Sequence, residues 1–333
     1  MNPKTTDLLH SLVKRHIVPG VSYAMIHQGS MQSEVFGLQQ IVPQRQQLRS
    51  GMLYDVASLT KVVCTTPMIL KMVEEGKIFL EEPIQHLLPR FRGSRVTVRH
   101  LLTHTAAITG YIKDRDQLNG SELITAIYEQ MYSGDNVGKH VHYTDIGFIL
   151  LGQIIERFYQ RSVQEVLAAE ILIPLRLQES TFDPLPDFCV PTTFDHKRGL
   201  IKGVVHDPKA YVLGRHCASA GLFMSLNDLT KYCSWLLGEY GKTPILSEKM
   251  IEYLFADQTP TNTGGRSLGF DLRYDPQNRP CLYHTGFTGT FILIDKQNQD
   301  ALVVLTNRVH PDQKNDEFLR DREHLIDVYL AEK

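Results

Sequence analysis

The 333-residue sequence is short of cysteine, of long apolar runs and of a surplus of either charge. Its five cysteines form no Cys-x-x-Cys pair, and an odd number cannot all pair, so a disulfide framework is not expected. The longest apolar runs, such as 148–151 and 301–305, are far too short to cross a bilayer. No apolar stretch near the N-terminus could serve as a signal peptide. We therefore expect no membrane association, free thiols and a cytoplasmic location.

The charges are balanced, with 35 Lys and Arg against 37 Asp and Glu. Such a chain has no long-range basic field to attract nucleic acid, and no run of five like charges forms a tail. Hydrophobic residues make up 42% of the sequence, which excludes disorder as the main state. A chain of this length can bury about three quarters of its unfolded surface. Composition thus predicts a folded protein without a nucleic-acid partner.

Apolar periodicity predicts strands near both ends of the chain and helices in the middle. Strands are expected at 21–26, 32–36, 267–274, 280–284, 289–295 and 302–306. Helices are expected at 5–16, 58–75, 98–104, 121–132, 145–159, 163–171, 227–237 and 315–331. Because a lone hairpin is only marginally stable, the two early strands are expected to join the late ones in one antiparallel sheet.

The predicted fold class is therefore α+β: a central antiparallel sheet flanked by helices, with an inserted helical domain. We expect a sheet domain made of residues 1–57 and 225–333, and a mainly helical domain made of 58–224. The active site is expected in the cleft between them. The stretch 178–218 has four prolines and no sustained period, which is typical of a functional rim.

The 14 histidines raise the question of a metal site. His100 and His104 have the i, i+4 spacing of two zinc ligands on a helix, but Leu101 stands where His-Glu-x-x-His needs glutamate. His140 and His142 flank a valine, without a carboxylate at a recognised spacing. We expect these histidines to be structural, and no metal site.

Serine offers better candidates for a nucleophile. Ser267 matches Gly-x-Ser-x-Gly, but that motif needs a strand before it and a helix after it, and here the order is reversed. Ser-x-x-Lys occurs at Ser11–Lys14 and at Ser58–Lys61. The motif needs a serine near a helix N-terminus, where its own N–H is free to bind an oxyanion. Only Ser58, which follows a short strand and begins a helix, meets this requirement.

A lysine that acts as a base needs neighbours that depress its pKa, so further groups are expected around Ser58. Tyr143-Thr144-Asp145 is the only Tyr-x-Asp or Tyr-x-Asn segment, and Asp145 could equally be the N-cap of the helix that follows. His284-Thr285-Gly286 is the only Lys/His-Thr-Gly segment, at the end of a late strand. Taken singly, each segment is a weak signal.

In this order, the three motifs resemble the active-site signature of the serine β-lactamase and penicillin-binding protein superfamily. The resemblance is closest to the class C β-lactamase-like branch, which includes esterases, D-amino-acid peptidases and amide hydrolases. Segments 100–105, 205–208, 220–223 and 284–289 also look like family segments. The resemblance spans roughly residues 20–310 and implies a β-lactamase/transpeptidase-like fold.

The resemblance also implies a mechanism. Ser58 would attack a carbonyl to form an acyl-enzyme, while Lys61 takes its proton. Tyr143 would relay protons to the leaving group and help to activate the water that deacylates the enzyme. The backbone N–H groups of Ser58 and Phe287 would form the oxyanion hole.

Further residues would bind the substrate, and no metal or organic cofactor is implied. Asp145 and Thr285 would contact the substrate, and His284 and Gly286 belong to the same substrate-binding segment. The implied partner is a small ester, amide or peptide.

Two departures from the family pattern matter. His284 stands in place of the usual lysine, so a permanent positive charge facing a substrate carboxylate is lost. Asp145 stands in place of the commoner asparagine. Its charge could pair with Lys61 and keep it protonated, or it could favour a cationic substrate, and the sequence leaves both open.

Three hypotheses follow, in order of preference. The first is a cytoplasmic serine hydrolase acting on small esters, amides or D-amino-acid-containing peptides, with weak acylation by β-lactams also compatible. The second is a catalytically weak, penicillin-binding-like protein that binds a ligand as a sensor because Asp145 neutralises Lys61. The third is a metal-dependent hydrolase that uses the histidines. The oligomeric state does not follow from the sequence.

Overall fold

The structure, a computed structural model, describes residues 2–93, 95–196, 198–239, 245–312 and 316–332. Over these ranges the chain forms thirteen strands: β1 Gly20–His27, β2 Ser30–Gln40, β3 Gln46–Gln47, β4 Tyr54–Asp55, β5 Ile108–Gly110, β6 Met131–Ser133, β7 Phe194–Asp195, β8 Gly199–Leu200, β9 Phe223–Met224, β10 Asp271–Tyr274, β11 Pro280–Thr285, β12 Phe291–Asp295 and β13 Asp300–Thr306.

The same ranges contain eleven α-helices: α1 Pro3–Lys14, α2 Thr66–Glu74, α3 Ile84–Leu87, α4 Val98–Leu102, α5 Gly120–Gln130, α6 Asp145–Tyr159, α7 Val163–Leu167, α8 Pro208–Leu213, α9 Leu226–Leu237, α10 Glu248–Leu254 and α11 Asp316–Ala331. The closing helix expected from residue 315 thus begins at Asp316, and residue 315 lies outside the described ranges.

Seven strands form one sheet in the order β10-β11-β12-β13-β1-β2-β3, and every neighbouring pair is antiparallel. The early hairpin β1–β2 joins the late strands through β1 and β13, where Ser22 pairs with Leu305. The predicted α+β fold with a central antiparallel sheet made from both chain ends is confirmed. The boundaries of the two domains stay a prediction.

Both faces of the sheet are covered, because side chains alternate along each strand. On one face, Tyr23 and Val304 pack with residues of α1 and α11. On the other face, Ala24 and Val303 belong to the larger core shared with the helical part. Helix α9 packs on that second face, against β1, β12 and β13. Burial on both faces explains why the central strands are almost wholly apolar.

The helix expected around the second Ser-x-x-Lys motif is not uniform. Ser58 lies in a turn, Lys61–Thr65 form a π-helical turn, and the regular helix α2 begins only after them. Pro67 has no N–H to donate, and the Val62 carbonyl accepts a hydrogen bond from the Tyr232 hydroxyl at 2.6 Å. The helix is therefore irregular just before the proline, where it forms a π-helical turn.

The strand expected from residue 267 is shorter than predicted. β10 begins at Asp271, while the Ser267 N–H donates to the Phe270 carbonyl within a turn at 3.0 Å. Gly269 has a φ of 83°, and a Cβ there would lie 2.3 Å from the Thr66 Oγ1. The chain must therefore bend sharply against α2 before the strand can begin. The placement of Ser267 on a sheet strand was wrong.

The proline-bearing stretch 178–218 is built of short pieces, including β7, β8 and α8. Asp207 caps α8, since its Oδ1 accepts the Ala210 N–H at 2.8 Å. All five cysteines lie in the described ranges, where they are buried and form no disulfide bond. A search of the described helices finds none with the length and apolar character needed to span a membrane.

Candidate active site

Ser58 is presented by a sharp turn between β4 and the helix. Ala57, just before it, has a φ of 47°, which costs a residue with a Cβ about 1 kcal/mol or more. The Ala57 N–H donates to the Asp55 Oδ1 at 2.8 Å, and the Val56 N–H donates to the Leu222 carbonyl at 3.1 Å. These bonds hold the strained conformation and place Ser58 at the N-terminal end of the helix.

Lys61 lies beside Ser58, as the i, i+3 spacing predicts. Its Nζ donates to the Ser58 Oγ at 2.8 Å and to the Ser219 carbonyl at 2.8 Å. The Lys61 side chain is fully buried, and its ammonium is also 5.8 Å from the centre of the Phe148 ring. The second Ser-x-x-Lys motif therefore brings a serine oxygen and a buried amine into direct contact.

Asp145 joins this pair from the start of α6. The helix is capped by Thr144, whose Oγ1 accepts the Ile146 N–H at 3.2 Å, so Asp145 is not the N-cap. The Asp145 Oδ1 lies 2.8 Å from the Lys61 Nζ. Of the two roles left open for the Asp145 charge, the structure shows the pairing with Lys61.

A second lysine, which the sequence analysis missed, binds the other oxygen of Asp145. The Lys209 Nζ lies 3.0 Å from the Asp145 Oδ2 and 3.3 Å from the Asp207 Oδ2. Lys61, Asp145, Lys209 and Asp207 therefore form a chain of alternating charges. Nothing in the local sequence around 206–209 indicates this partner, because the chain of charges is closed only by the fold.

The charges of this chain control the pKa values of its members. Burial lowers the pKa of Lys61, but the Asp145 carboxylate and the Tyr143 side chain outweigh it and hold that pKa above its usual value. Burial raises the pKa of Asp145, whereas Lys61 and Lys209 together hold it well below its usual value. The expectation that neighbours depress the pKa of Lys61 is therefore wrong: Lys61 is charged in the free protein.

Tyr143 lies over the lysine at the mouth of the site. The centre of its ring is 5.4 Å from the Lys61 Nζ, and its ring packs on His104 with 4.3 Å between ring centres. The Arg266 guanidinium lies 5.7 Å from the same ring. Tyr143 is 43% exposed, so it faces both the buried lysine and the solvent.

His284 lies behind the site, not in its wall. It sits on β11 with 3% of its surface exposed, and no side chain in the described ranges hydrogen-bonds to either ring nitrogen. Burial, with the charges of Arg266 and Lys61, holds the pKa of His284 well below its usual value. The expectation that His284 carries no charge near neutral pH agrees with this.

The end of β11 is fitted against the turn that presents Ser58. A Cβ on Gly286 would lie 2.4 Å from the Val56 carbonyl oxygen and 2.2 Å from the Thr290 Oγ1, so only glycine allows this approach. Within the described ranges, neither the Phe287 N–H nor the Ser58 N–H donates to a backbone carbonyl. Both N–H groups are therefore available for a substrate oxygen.

Asp55 connects three segments of the site by hydrogen bonds: the turn before Ser58, the segment at His206 and the turn after β11. It was not among the residues predicted from the sequence. Its carboxylate accepts the N–H of Ala57 (2.8 Å) and that of His206 (2.7 Å), and its carbonyl accepts the Thr288 hydroxyl at 2.7 Å. Asp55 is 2% exposed. Burial raises its pKa to about 6, although the two N–H donors oppose the rise.

A cavity of about 440 Å³ opens over Ser58. Its lining residues are Ala57, Ser58, Tyr143, Asp145, His206, Asp207, Pro208, Lys209, Ala220, Thr285 and Phe287. A second cavity, of about 650 Å³, shares Tyr143, Asp145 and Lys209 with the first. Of the predicted substrate-binding residues, Asp145 and Thr285 thus line the cavity, whereas His284 and Gly286 do not.

The paired histidines are not arranged as metal ligands. Helix α4 ends at Leu102, and His104 lies beyond it with a φ of 56°, so His100 and His104 do not share a helix face. The His100 Nδ1 accepts the Thr97 N–H at 3.0 Å and caps α4. In the described ranges, no three His, Cys, Asp or Glu residues are grouped so as to hold a metal ion.

Comparisons with known proteins agree in sequence and in fold. A family model described as Beta-lactamase matches residues 5–325. An N-acetylmuramyl-L-alanine amidase from Bacillus subtilis (strain 168) is 25% identical over 79% of this chain and 69% of its own length. A putative D-alanyl-D-alanine carboxypeptidase from Escherichia coli (strain K12) is 26% identical over 78% of this chain and 70% of its own length.

Solved structures share the fold. A class C beta-lactamase superposes with a TM-score of 0.76 at 19% identity, over 99% of this chain and 96% of its own. An octameric penicillin-binding protein homologue from Pyrococcus abyssi has a TM-score of 0.72 at 23% identity, over 91% of this chain and 73% of its own. At these identities the likeness establishes the architecture alone, including the predicted β-lactamase/transpeptidase-like fold.

Proposed function

Since the chain belongs to the beta-lactamase family and is a serine hydrolase, we propose that it acts through an acyl-enzyme formed on Ser58. The observation that carries this proposal is the 2.8 Å contact between the Lys61 Nζ and the Ser58 Oγ at the floor of a solvent-open cavity. The proposed substrates are small esters, amides or D-amino-acid-containing peptides.

In the proposed acylation, Lys61 first releases its own proton to solvent, and the neutral amine then accepts the proton of the Ser58 hydroxyl. The Ser58 Oγ bonds to the substrate carbonyl carbon, and the carbonyl oxygen becomes an oxyanion. The N–H groups of Ser58 and Phe287 donate to that oxygen. Because Lys61 is charged in the free protein, turnover should rise with pH as the neutral amine becomes available.

Departure of the leaving group needs a proton, and hydrolysis of the acyl-enzyme needs an activated water. Tyr143 is proposed for both steps, because its side chain meets Lys61 on one side and the open cavity on the other. Tyr143 gives its phenol proton to the leaving group and takes from Lys61 the proton that came from Ser58, so that Lys61 is neutral again. It then helps to take a proton from the water that attacks the acyl carbon.

The lining of the cavity supports an uncharged acyl group. Lys209 is the only ammonium or guanidinium among the lining residues, and it already binds the carboxylates of Asp145 and Asp207. Among the described residues of the wall, no cation is therefore available to a substrate carboxylate. Small esters and amides fit this wall best, and the names of the amidase and carboxypeptidase relatives support peptide substrates.

The test of this proposal is turnover of p-nitrophenyl acetate and butyrate. We expect hydrolysis by the wild-type protein and its loss in Ser58→Ala. Ser11→Ala is the matched control, because Ser11 carries the other Ser-x-x-Lys motif but donates to the Leu8 carbonyl within α1 at 2.9 Å. Undiminished turnover in Ser58→Ala would reject Ser58 as the nucleophile.

A second candidate function is supported by the ion pair between Lys61 and Asp145. If that carboxylate keeps Lys61 charged even when a ligand is bound, Lys61 cannot accept the Ser58 proton. The protein would then bind a penicillin-like ligand without reacting and would serve as a sensor. A fluorescent penicillin and a fluorophosphonate probe separate the two functions, because only an active nucleophile becomes covalently labelled. We expect labelling of Ser58 at alkaline pH.

A cytoplasmic location is part of the proposal. The five buried cysteines, none of which forms a disulfide bond within the described ranges, are compatible with a reducing compartment.

A further inference from the structure

We propose that Lys209 is a positioning residue that lets Lys61 act as a base beside a carboxylate, because it binds the second oxygen of Asp145 and draws charge away from Lys61. This inference rests on the proposed function, in which Lys61 accepts the proton of Ser58. The Asp145 carboxylate stabilises the charged form of Lys61, which cannot accept a proton. Lys209 reduces this effect, because without it the charge of Asp145 would act on Lys61 alone.

The geometry divides the Asp145 carboxylate between two ammonium groups. Its Oδ1 lies 2.8 Å from the Lys61 Nζ, and its Oδ2 lies 3.0 Å from the Lys209 Nζ. A carboxylate that pairs with two ammonium groups stabilises the charge of each one less than a carboxylate that pairs with a single ammonium group. Two cations on one carboxylate also repel each other, which further favours the neutral form of Lys61.

Lys209 is held in this place from its other side. Its Nζ lies 3.3 Å from the Asp207 Oδ2, while the Asp207 Oδ1 caps α8 by accepting the Ala210 N–H at 2.8 Å. Lys209 itself lies in the first turn of α8, after Pro208. Its ammonium is thus fixed by the start of a helix and is only 18% exposed.

Among the groups that face Lys61, Asp145 has the largest influence on its protonation. Tyr143 comes from the loop before α6, His104 from the end of α4, and His284 from β11. Burial holds the pKa values of both histidines well below their usual range, so neither is charged near neutral pH. The remaining charge, Arg266, precedes β10 and lies 3.7 Å from the Asp271 carboxylate.

Among the described residues, the uncharged hydrogen-bond partners of Lys61 are the Ser58 hydroxyl and the Ser219 carbonyl. Thus the two negative groups in the chain of alternating charges are Asp145 and Asp207. Removing the positive charge of Lys209 and removing the negative charge of Asp207 should therefore change the protonation of Lys61 in opposite directions.

The test is the pH dependence of kcat/KM for p-nitrophenyl acetate, whose acidic limb reports the loss of the Lys61 proton. In Lys209→Met, Asp145 acts on Lys61 alone, so the limb should move to higher pH by about one unit, a roughly tenfold loss of kcat/KM below the limb. Lys209→Arg keeps the charge and should restore the wild-type limb. Lys139→Met, which removes an exposed lysine outside the cavity, should leave the limb in place.

Asp207→Asn gives a second variant with the opposite prediction. Asparagine keeps the N-cap of α8, but Lys209 loses its other carboxylate and acts more strongly on Asp145. The limb should therefore move to lower pH. Circular dichroism of each variant separates a change of protonation from failure to fold.

An unmoved acidic limb in folded Lys209→Met, or a uniform fall of kcat/KM at every pH, would overturn the inference. If Lys209→Met does not fold, an unmoved limb in Asp207→Asn overturns it. These outcomes are distinct from failure of the proposed function. Undiminished turnover in Ser58→Ala rejects the nucleophile whatever the limb does, whereas loss of turnover with an unmoved limb rejects only the role of Lys209.

Discussion

The centre of the sheet and the side chains beneath the Ser58 cavity are both buried, yet different forces hold them in place. Strands β1 and β13 form an antiparallel backbone ladder, their nearly continuous apolar side chains pack on the two faces of the sheet, and every residue of β13 is buried. At the cavity, Lys61 and Asp55 are just as inaccessible but are held by ion pairs and hydrogen bonds. Hydrophobic burial scales with area and tolerates approximate fit, whereas buried charges demand specific partners.

This difference predicts how each region responds to substitution. The sheet should tolerate a lost methyl group and reject a charge. The cavity should tolerate neither a shifted backbone nor a missing hydrogen-bond partner. Four substitutions, taken from the largest expected effect on stability to the smallest, test this contrast.

A charge in the sheet should have the largest effect. Val303 is fully buried on the face that packs against the helical part. Val303→Asp places an unpaired carboxylate there and should cost about 4–5 kcal/mol of unfolding free energy, enough to unfold the protein in many conditions. Urea denaturation measures the loss. Val303→Ala is the control and should cost about 2 kcal/mol, and equal losses in both variants would contradict the account.

A methyl group at the end of β11 should affect stability and activity together. In Gly286→Ala the new Cβ meets the Val56 carbonyl oxygen and the Thr290 Oγ1, so one backbone segment must move. We expect a loss of about 3 kcal/mol. Displacement of the Phe287 N–H should also lower kcat about a hundredfold. Gly134→Ala is the control, because Gly134 likewise has no positive φ and a Cβ there would come no closer than 3.7 Å, to the Ala107 carbonyl oxygen.

Removing one hydrogen-bond acceptor at Asp55 should have a smaller effect on stability. In Asp55→Asn the amide nitrogen cannot accept a hydrogen bond, so either the Ala57 or the His206 N–H loses its partner, at about 2 kcal/mol. Burial raises the pKa of Asp55 from 3.8 to about 6, so the folded state holds the proton more tightly than the unfolded chain.

The pH dependence of this loss follows from that direction. Ionisation of Asp55 costs the folded state stability as pH rises from about 4 to about 6, and the asparagine variant lacks this cost. The wild-type advantage over Asp55→Asn should therefore shrink across this window and stay constant above it. Denaturation of both proteins at several pH values checks this, and an advantage that grows with pH would contradict it.

An exposed ion pair should have the smallest effect. Asp135 is fully exposed and lies 3.3 Å from Arg95. Solvent screens such pairs, so Asp135→Asn should leave the unfolding midpoint unchanged. A marked fall of the midpoint in thermal denaturation would mean that exposed ion pairs also stabilise this protein. The contrast with the buried charges of the cavity would then fail.

The sheet could be predicted from the sequence because its signals are local. Alternation of apolar residues, with Gln28-Gly29 between two such runs, is enough to predict the hairpin β1–β2. The strands near residues 280–306 were predicted in the same way. What the pattern could not predict was where β10 begins, because the bend at Gly269 is imposed by contact with α2.

The site could be predicted only in part because its partners are distant in sequence. Ser58 and Lys61 are three residues apart, so helical spacing is enough to pair them. Asp55 and His206 are separated by 151 positions, and Lys209 meets Asp145 through the fold alone. The sequence left the direction of the Lys61 pKa shift open, between depression by neighbouring groups and pairing with Asp145, and the fold decides for the pairing.

Trapping the acyl-enzyme is the most direct test of the account. The protein would be mixed with a fluorophosphonate and, separately, with p-nitrophenyl acetate at alkaline pH, quenched, and examined by mass spectrometry of the intact chain and its peptides. The account predicts one added group, located on Ser58 and absent from Ser58→Ala. Turnover without any adduct on Ser58, or an adduct on a different residue, would contradict it.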